Sequence, residues 1–224
     1  MTGTARAGRA PLTRERIVEA AAAVADEAGL AGVSMRSVGR QLGVEAMSLY
    51  HHISGKEQLL DELADWVFAR FHAPGPEEGW REGTRARAVS MREVLSAHPW
   101  GLGLVESRRA VGEPTLGYND AVLGNLRRGG LSVTLAAHAF SLVDSYVYGF
   151  VLTEQRLPFQ PGESVEDYTV GLAIGAGRYP HMMEMVEAMI AGRDYSYGDE
   201  FAVGLELILD ALEARFAAER AGAG

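Results

Sequence analysis

The 224-residue chain has no cysteine and one lysine, Lys56. Without cysteine there are no disulfides and no thiolate metal sites, which fits a reducing cytoplasm better than a secreted scaffold. Lysine scarcity beside abundant alanine and arginine points toward a GC-rich bacterial genome. The opening residues, MTGTARAGRAPLTRER, lack the apolar core of a signal peptide. The longest nearly uncharged run, Leu131 to Leu152, still contains His138, Ser141, Asp144 and Ser145, and an aspartate near its middle argues against a membrane span. No alternating pattern marks a strand ladder, and no segment repeats. There is no nucleophile elbow, no glycine-rich phosphate loop and no cluster of metal ligands. No cofactor is therefore expected, and an enzyme built on Asp144 with His98 or His138 has little support.

Net charge is −9, which at first opposes nucleic acid. Its distribution is more informative. Residues 1–60 hold seven cations against six carboxylates, a net of +1, which leaves −10 on the remainder. A near-neutral head on an acidic body is compatible with DNA binding through one small face.

Residues 34–60, SMRSVGRQLGVEAMSLYHHISGKEQLL, carry the strongest local signal. Ser34 is placed to cap a helix through Leu42, with Val38 and Leu42 on one face. Gly43 supplies the left-handed residue that ends it, and Val44 turns the corner. A second helix, about Ala46 to Ile53, turns Leu49 and Ile53 inward and leaves Ala46, Met47, Ser48, His51 and His52 for other contacts. Ser54 with Glu57 reads as a capping box that opens a third helix. Helix, glycine turn, helix is the arrangement that enters the major groove of DNA. Lys56, at a helix start, suits a phosphate, or is a solvated lysine in a capping turn. Arg36 can fork onto guanine, or pair with Glu45.

The rest reads as an all-α chain: an N-terminal three-helix helix-turn-helix head joined by a long helix to a helical body whose apolar helices suit dimerisation. The expected divisions are a flexible arm at 1–10, the DNA-binding head at 11–55, a connecting helix at 56–72 and the body at 73–224. Thr13 caps the first helix, whose apolar face is Ile17, Ala20, Ala21, Val24 and Ala28, ending near Gly29. The connecting helix carries Leu60, Leu63, Val67 and Phe71, with Leu59 and Trp66 alongside, and Ala73-Pro74-Gly75-Pro76 breaks it. Helices follow at about 83–97, 100–106, 115–128, 132–157, 181–191 and 200–218. Pro161–Ser164 reads as a loop, and 166–177 is too glycine-rich to assign. The 132–157 helix is apolar nearly all round. The last carries Phe201, Leu205, Ile208, Leu212 and Phe216, with Val203, Leu207 and Leu209 off that stripe. Such helices suit a homodimer interface, or the centre of a monomeric bundle.

Arg36 within Ser34-Met35-Arg36-Ser37-Val38, then Gln41-Leu42-Gly43-Val44, Ser48-Leu49-Tyr50, His52 and Gly55-Lys56-Glu57-Gln58-Leu59-Leu60 resemble the DNA-binding head of the tetracycline-repressor (TetR) family, over about residues 12–72. The body resembles that family's C-terminal domain through His98-Pro99-Trp100, Asp144 to Phe150, and Gly204-Leu205 to Leu209-Asp210. Three positions depart from the family pattern. Gly39 replaces the usual alanine, at about 1 kcal/mol of helix stability unless packing requires it; Ser48 replaces threonine; Ile53 replaces phenylalanine.

The resemblance implies a cytoplasmic, homodimeric, all-helical transcriptional repressor that leaves a palindromic double-stranded DNA operator when a small-molecule effector enters the body. It implies that Ala46, Met47 and Ser48 meet bases and that Tyr50 and His52 anchor phosphates, flanked by Thr13 and Lys56. Tyr50 has a second reading as core. His51 and His52, if both face phosphates, would tighten binding as pH falls through about 6.5; the alternative is one packed and one solvated histidine. The implied effector cavity is lined by His72, Met91, Trp100, Tyr118, Asn119, Val122, Phe140 and Asp144, with Tyr148 on the same face as Phe140 and Asp144. Asp144 would pair with a cationic ligand, or with a hydroxyl or arginine. His72 is an unpromising metal ligand because no second histidine or carboxylate lies at binding spacing beside it, and His181 with Glu184 reads as an exposed polar face or a shared cation site.

Overall fold

The structure, a computed structural model, describes residues 11–107, 112–157, 179–190 and 195–222. Their regular structure is helical, with no strand among the described residues. The chain packs as two units, 1–128 and 129–224. Ala73–Pro76 is therefore a break in the helix pattern, while the packing divides after Arg128.

The first unit opens with α1 (Arg14–Gly32), capped by Thr13, whose Oγ1 accepts from Arg16 N at 3.3 Å. Gly29, at φ +65°, breaks its regularity where the sequence places its end. Ile17, Ala20, Ala21 and Val24 are buried, whereas Ala28 is exposed. In α2 (Met35–Leu42), Ser34 and Ser37 cap each other reciprocally, with backbone-to-hydroxyl distances of 3.0 and 2.9 Å. Gly43, at φ +63°, donates to Arg40 O at 3.0 Å, and Val44 N donates to Gly39 O at 2.8 Å. These two bonds form a Schellman closure, which turns the chain sharply into the next helix.

That helix, α3 (Ala46–Leu49), is half the length expected from 46–53. Tyr50 N and His52 N bond three residues back, to Met47 O and Leu49 O, so the chain tightens out of the α pattern. Leu49 and Ile53 are nevertheless fully inward. The expected Ser54–Glu57 box does not form. Gly55 is the N-cap of α4 (Lys56–Phe68), and Gln58 Oε1 instead accepts from Ser54 N and Oγ at 2.7 and 2.9 Å. The helix stops four residues short of His72, and turns carry the chain on through Phe71. Its buried seam is Leu59, Leu63 and Val67.

Helices α5 (Trp80–Ala97), α6 (Trp100–Ser107) and α7 (Glu113–Arg128) complete this unit. Helix α4 packs on α1, α6 and α7, and α1 also meets α6. Thr115 Oγ1 donates to Asp65 Oδ1 at 2.6 Å, pinning α7 to α4.

The second unit pairs α8 (Val133–Glu154) with α10 (Glu200–Gly222); α9 (Pro180–Met189) and a 3-10 turn at Tyr197–Asp199 precede α10. Ser132 caps α8, accepting from Leu135 N at 3.1 Å. Helix α8 ends at Glu154 rather than 157, and α10 continues to Gly222 rather than 218. The Tyr146 ring stacks on Phe201 at 5.4 Å, and its hydroxyl donates to Phe201 O at 2.8 Å. Gly204 permits this approach, since a β-carbon there would collide with the Tyr146 hydroxyl. Leu209 belongs to the core face of α10, whereas Ile208 and Phe216 are half-buried; Val203 and Leu207 are 58% and 67% exposed. Helix α8 has the length and composition to cross a membrane, but it is the core partner of α10. The loop at 161–164 and the segment 166–177 lie outside the described residues.

Candidate functional site

The head presents one polar face. Met47 is 72% exposed on α3, and Tyr50 is 47% exposed, which places its ring at the surface and not in the core. Ala46 and Ser48 are half-buried beside Met47. Arg36 and Lys56 are exposed, and so are both His51 and His52; neither histidine is packed. No ion pair joins Arg36 to Glu45 among the described residues. Arg40, four residues beyond Arg36 on α2, is exposed too, a cation that the i, i+4 spacing makes part of the same face. Thr13 is half-buried with its hydroxyl engaged as the α1 cap. Beside it, the Glu15 carboxyl is held below the usual carboxylate range, first by its own backbone N–H and then by the Thr13 hydroxyl.

The candidate effector residues divide by unit. In the first, Met91, Tyr118 and Val122 are buried, and Asn119 is half-buried with a side-chain oxygen that has neither solvent nor a hydrogen-bond partner. Tyr118 closes an aromatic cluster with Phe68 and Phe71, at ring distances of 5.7 and 5.6 Å. Against it lies Arg87, 0% exposed, whose Nη1 reaches Tyr118 Oη at 3.4 Å and Met91 Sδ at 3.5 Å. A guanidinium stays charged in any protein environment, so Arg87 is the most consequential residue that periodicity overlooked. Its position four residues before Met91 was the available signal.

His72 lies elsewhere. It borders an open groove of about 540 Å³ on the exposed face of α5 formed by Glu82, Arg85, Val89 and Glu93, away from Met91. No carboxylate stands at ligand spacing beside His72 in the sequence, yet the fold brings one to it: His72 Nε2 is 3.0 Å from Glu78 Oε2. Glu78 also accepts from Gly75 N at 3.1 Å. Burial raises the Glu78 pKa, but the His72 and Gly75 bonds outweigh it and hold the carboxyl below its ordinary range. The chain returns through Pro74 before Glu78 comes close, which spacing alone did not show. No group of three or more metal-ligating side chains occurs among the described residues.

Trp100 is buried, but its indole N–H points to the head, donating to Asp26 Oδ1 at 2.6 Å. In the second unit, Phe140, Asp144 and Tyr148 share one half-buried face of α8. His181 and Glu184 are exposed, 3.9 Å apart.

A helix-turn-helix with this outward face, packed into the same unit as helices of the body, defines a DNA-binding regulator. Residues 17–63 match the family described as Bacterial regulatory proteins, tetR family, and residues 73–216 match the Tetracyclin repressor-like, C-terminal domain. The chain is 33% identical to the HTH-type transcriptional repressor DrrR1 of Streptomyces coeruleorubidus, over 96% of this chain and 82% of that one. It is 32% identical to the Escherichia coli tetracycline repressor protein class D, over 66% of this chain and 68% of that protein. The crystal structure of Streptomyces coelicolor ActR in complex with actinorhodin is similar at a TM-score of 0.74 and 29% identity, covering 92% and 98% of the two chains. The chain belongs to the tetR family, and it is a ligand-responsive DNA-binding transcriptional repressor.

Proposed function

We propose that this repressor binds a palindromic operator as a homodimer formed through the 132–157 and 200–218 helices, and leaves it when an aromatic, polycyclic small molecule enters the body. The observation that carries this reading is the single packed unit in which α4 runs from Lys56, at the DNA face, to Phe68, beside Tyr118. A shift at the Tyr118 end tilts a rigid rod of about 20 Å and moves the DNA face. Two heads must meet half-sites about 34 Å apart, so a small tilt in each protomer spoils the spacing. Complete switching needs about 10⁴-fold tighter effector binding to the mis-spaced state.

The effector class draws support from the aromatic Phe68–Phe71–Tyr118 wall and from the actinorhodin bound by ActR. Contacts to DNA are assigned to Thr13, Arg36, Ala46, Met47, Ser48, Tyr50, His51, His52 and Lys56. The protein acts in the cytoplasm, catalyses no reaction, and uses no cofactor or metal. The test is fluorescence anisotropy of the DNA flanking its own gene at two salt concentrations, with random DNA as control. Actinorhodin and tetracycline are then added as probes. Tight, salt-sensitive binding that either probe reverses is expected; binding no better than to random DNA, there and to duplexes selected from a random pool, would refute the reading.

A further inference from the structure

Two carboxylates on one face of α1, seven residues apart, hold separate elements. Glu19 Oε1 accepts from Trp66 Nε1 at 2.9 Å, near the far end of α4, and from Arg70 Nη2 at 2.8 Å, just beyond it. Asp26 Oδ1 accepts from Trp100 Nε1 at 2.6 Å, at the start of α6, and from His98 Nδ1 at 2.8 Å, just before it. Between them stands the Trp66 ring, 4.9 Å from His98 edge-on and 5.8 Å from Trp100. Helix α1 belongs to the head, and α6 to the body. Asp26 thus ties them directly, through a side chain that serves neither DNA nor effector.

We infer that Asp26 is a positioning residue that couples the two ends of the repressor, a connection separate from the α4 rod. Both donors converge on a single oxygen, so they hold α6 to α1 only in one relative placement; sliding of α6 breaks both bonds together. Linkage is reciprocal, so DNA that fixes α1 also fixes α6 through Asp26. Trp100, on this account, transmits the state of the body to the head instead of lining the cavity. This inference rests on the regulator reading, and the experiment separates the two.

The measurement is hydrogen exchange of the full-length protein with and without the duplex that wild-type protein selects from a random-sequence pool, reading amides of α3 and α6. In the wild type, duplex slows exchange in both. Asp26→Ala, at a surface position of α1, keeps the α3 response and loses the α6 response. Asp26→Asn, which retains an acceptor oxygen, recovers part of it, a rescue that a purely steric role would not produce. Trp100→Phe keeps the ring and removes only the N–H, and weakens the α6 response while preserving the fold. An α6 response in Asp26→Ala or Trp100→Phe equal to wild type overturns the coupling, as does an unresponsive wild-type α6 beside a protected α3. Failure of the wild type to select any duplex instead overturns the regulator reading, and the coupling falls with it.

Discussion

Val44 N donates to Gly39 O at 2.8 Å, and a β-carbon on Gly39 would stand 2.9 Å from Val44 O. Ala46 Cα and N would be 3.3 Å away, so the whole turn between α2 and α3 lies against this glycine. The atoms it would strike are backbone and have no rotamer to escape into. Gly39→Ala therefore sets about 1 kcal/mol of helix propensity against an overpacking cost of about 1–3 kcal/mol, and packing wins. The expected outcome is a thermal midpoint lowered by a few degrees and weaker operator binding. A raised midpoint would show that the turn relaxes freely, and that the glycine is dispensable.

Lys56 and Arg36 are expected to fail differently. Lys56, at an α4 N-terminus that has no side-chain cap, is the proposed phosphate contact. Lys56→Ala should weaken binding to selected and random duplexes alike and reduce the salt slope by about 1. Arg36→Ala should cost about 1–3 kcal/mol on the selected duplex alone. Anisotropy titrations across several salt concentrations distinguish these outcomes, and equal losses on both duplexes for Arg36→Ala would remove it from base readout.

The local features of this fold were legible because their partners lie close in sequence. Thr13, Ser34 and Ser132 each cap a helix by accepting from the residue three positions on, and Gly43 takes the left-handed conformation. The misreadings were also local but competitive. Gln58 won the cap contact expected of Glu57 because the N-cap is Gly55, one residue later than read, which moves the position facing back toward Ser54 from Glu57 to Gln58. Leu209 joined the core because the buried residues of α10, Phe201, Leu205, Leu209 and Leu212, follow i, i+4, i+8 and i+11, a single stripe that takes Leu209 where Ile208 was expected. What stayed illegible is non-local. Asp26 and His98 are 72 positions apart, and Glu19 and Trp66 47 apart, so nothing in periodicity pairs them. The burial of Arg87 likewise depends on where Tyr118 arrives from α7.

Acid should loosen α1 from α4 through Glu19. Burial raises its pKa, but donation from Trp66 and Arg70 outweighs that, and the carboxyl sits below its ordinary range. Arg70 is further held over the Trp66 ring, 3.2 Å from its centroid. A folded pKa below the unfolded one means stabilisation that is complete above the unfolded value and lost as pH falls through the folded one. Glu19→Gln should thus melt below wild type at neutral pH, with the gap closing once pH drops beneath the ordinary carboxylate value of about 4.3. A gap that widens in acid contradicts the assignment. The contact is largely exposed, so the effect should be modest.

Leu207 tests the proposed dimer. It is 67% exposed on α10, with Val203 one turn before it at 58%, and Leu142 is exposed on the partner helix α8. A protomer gains nothing from a leucine held in water, whereas two-fold pairing of these faces would bury it in both copies. Leu207→Glu should leave each protomer folded, since the position is two-thirds exposed, yet place two carboxylates in an apolar contact. Sedimentation velocity at micromolar concentration should then show monomer in place of dimer. Operator affinity should fall steeply as well, because each head now finds its half-site independently and the gain from linkage is lost. Helicity and melting of an isolated protomer provide the control for misfolding. A variant that remains dimeric and binds operator normally would place the interface on another face of the body.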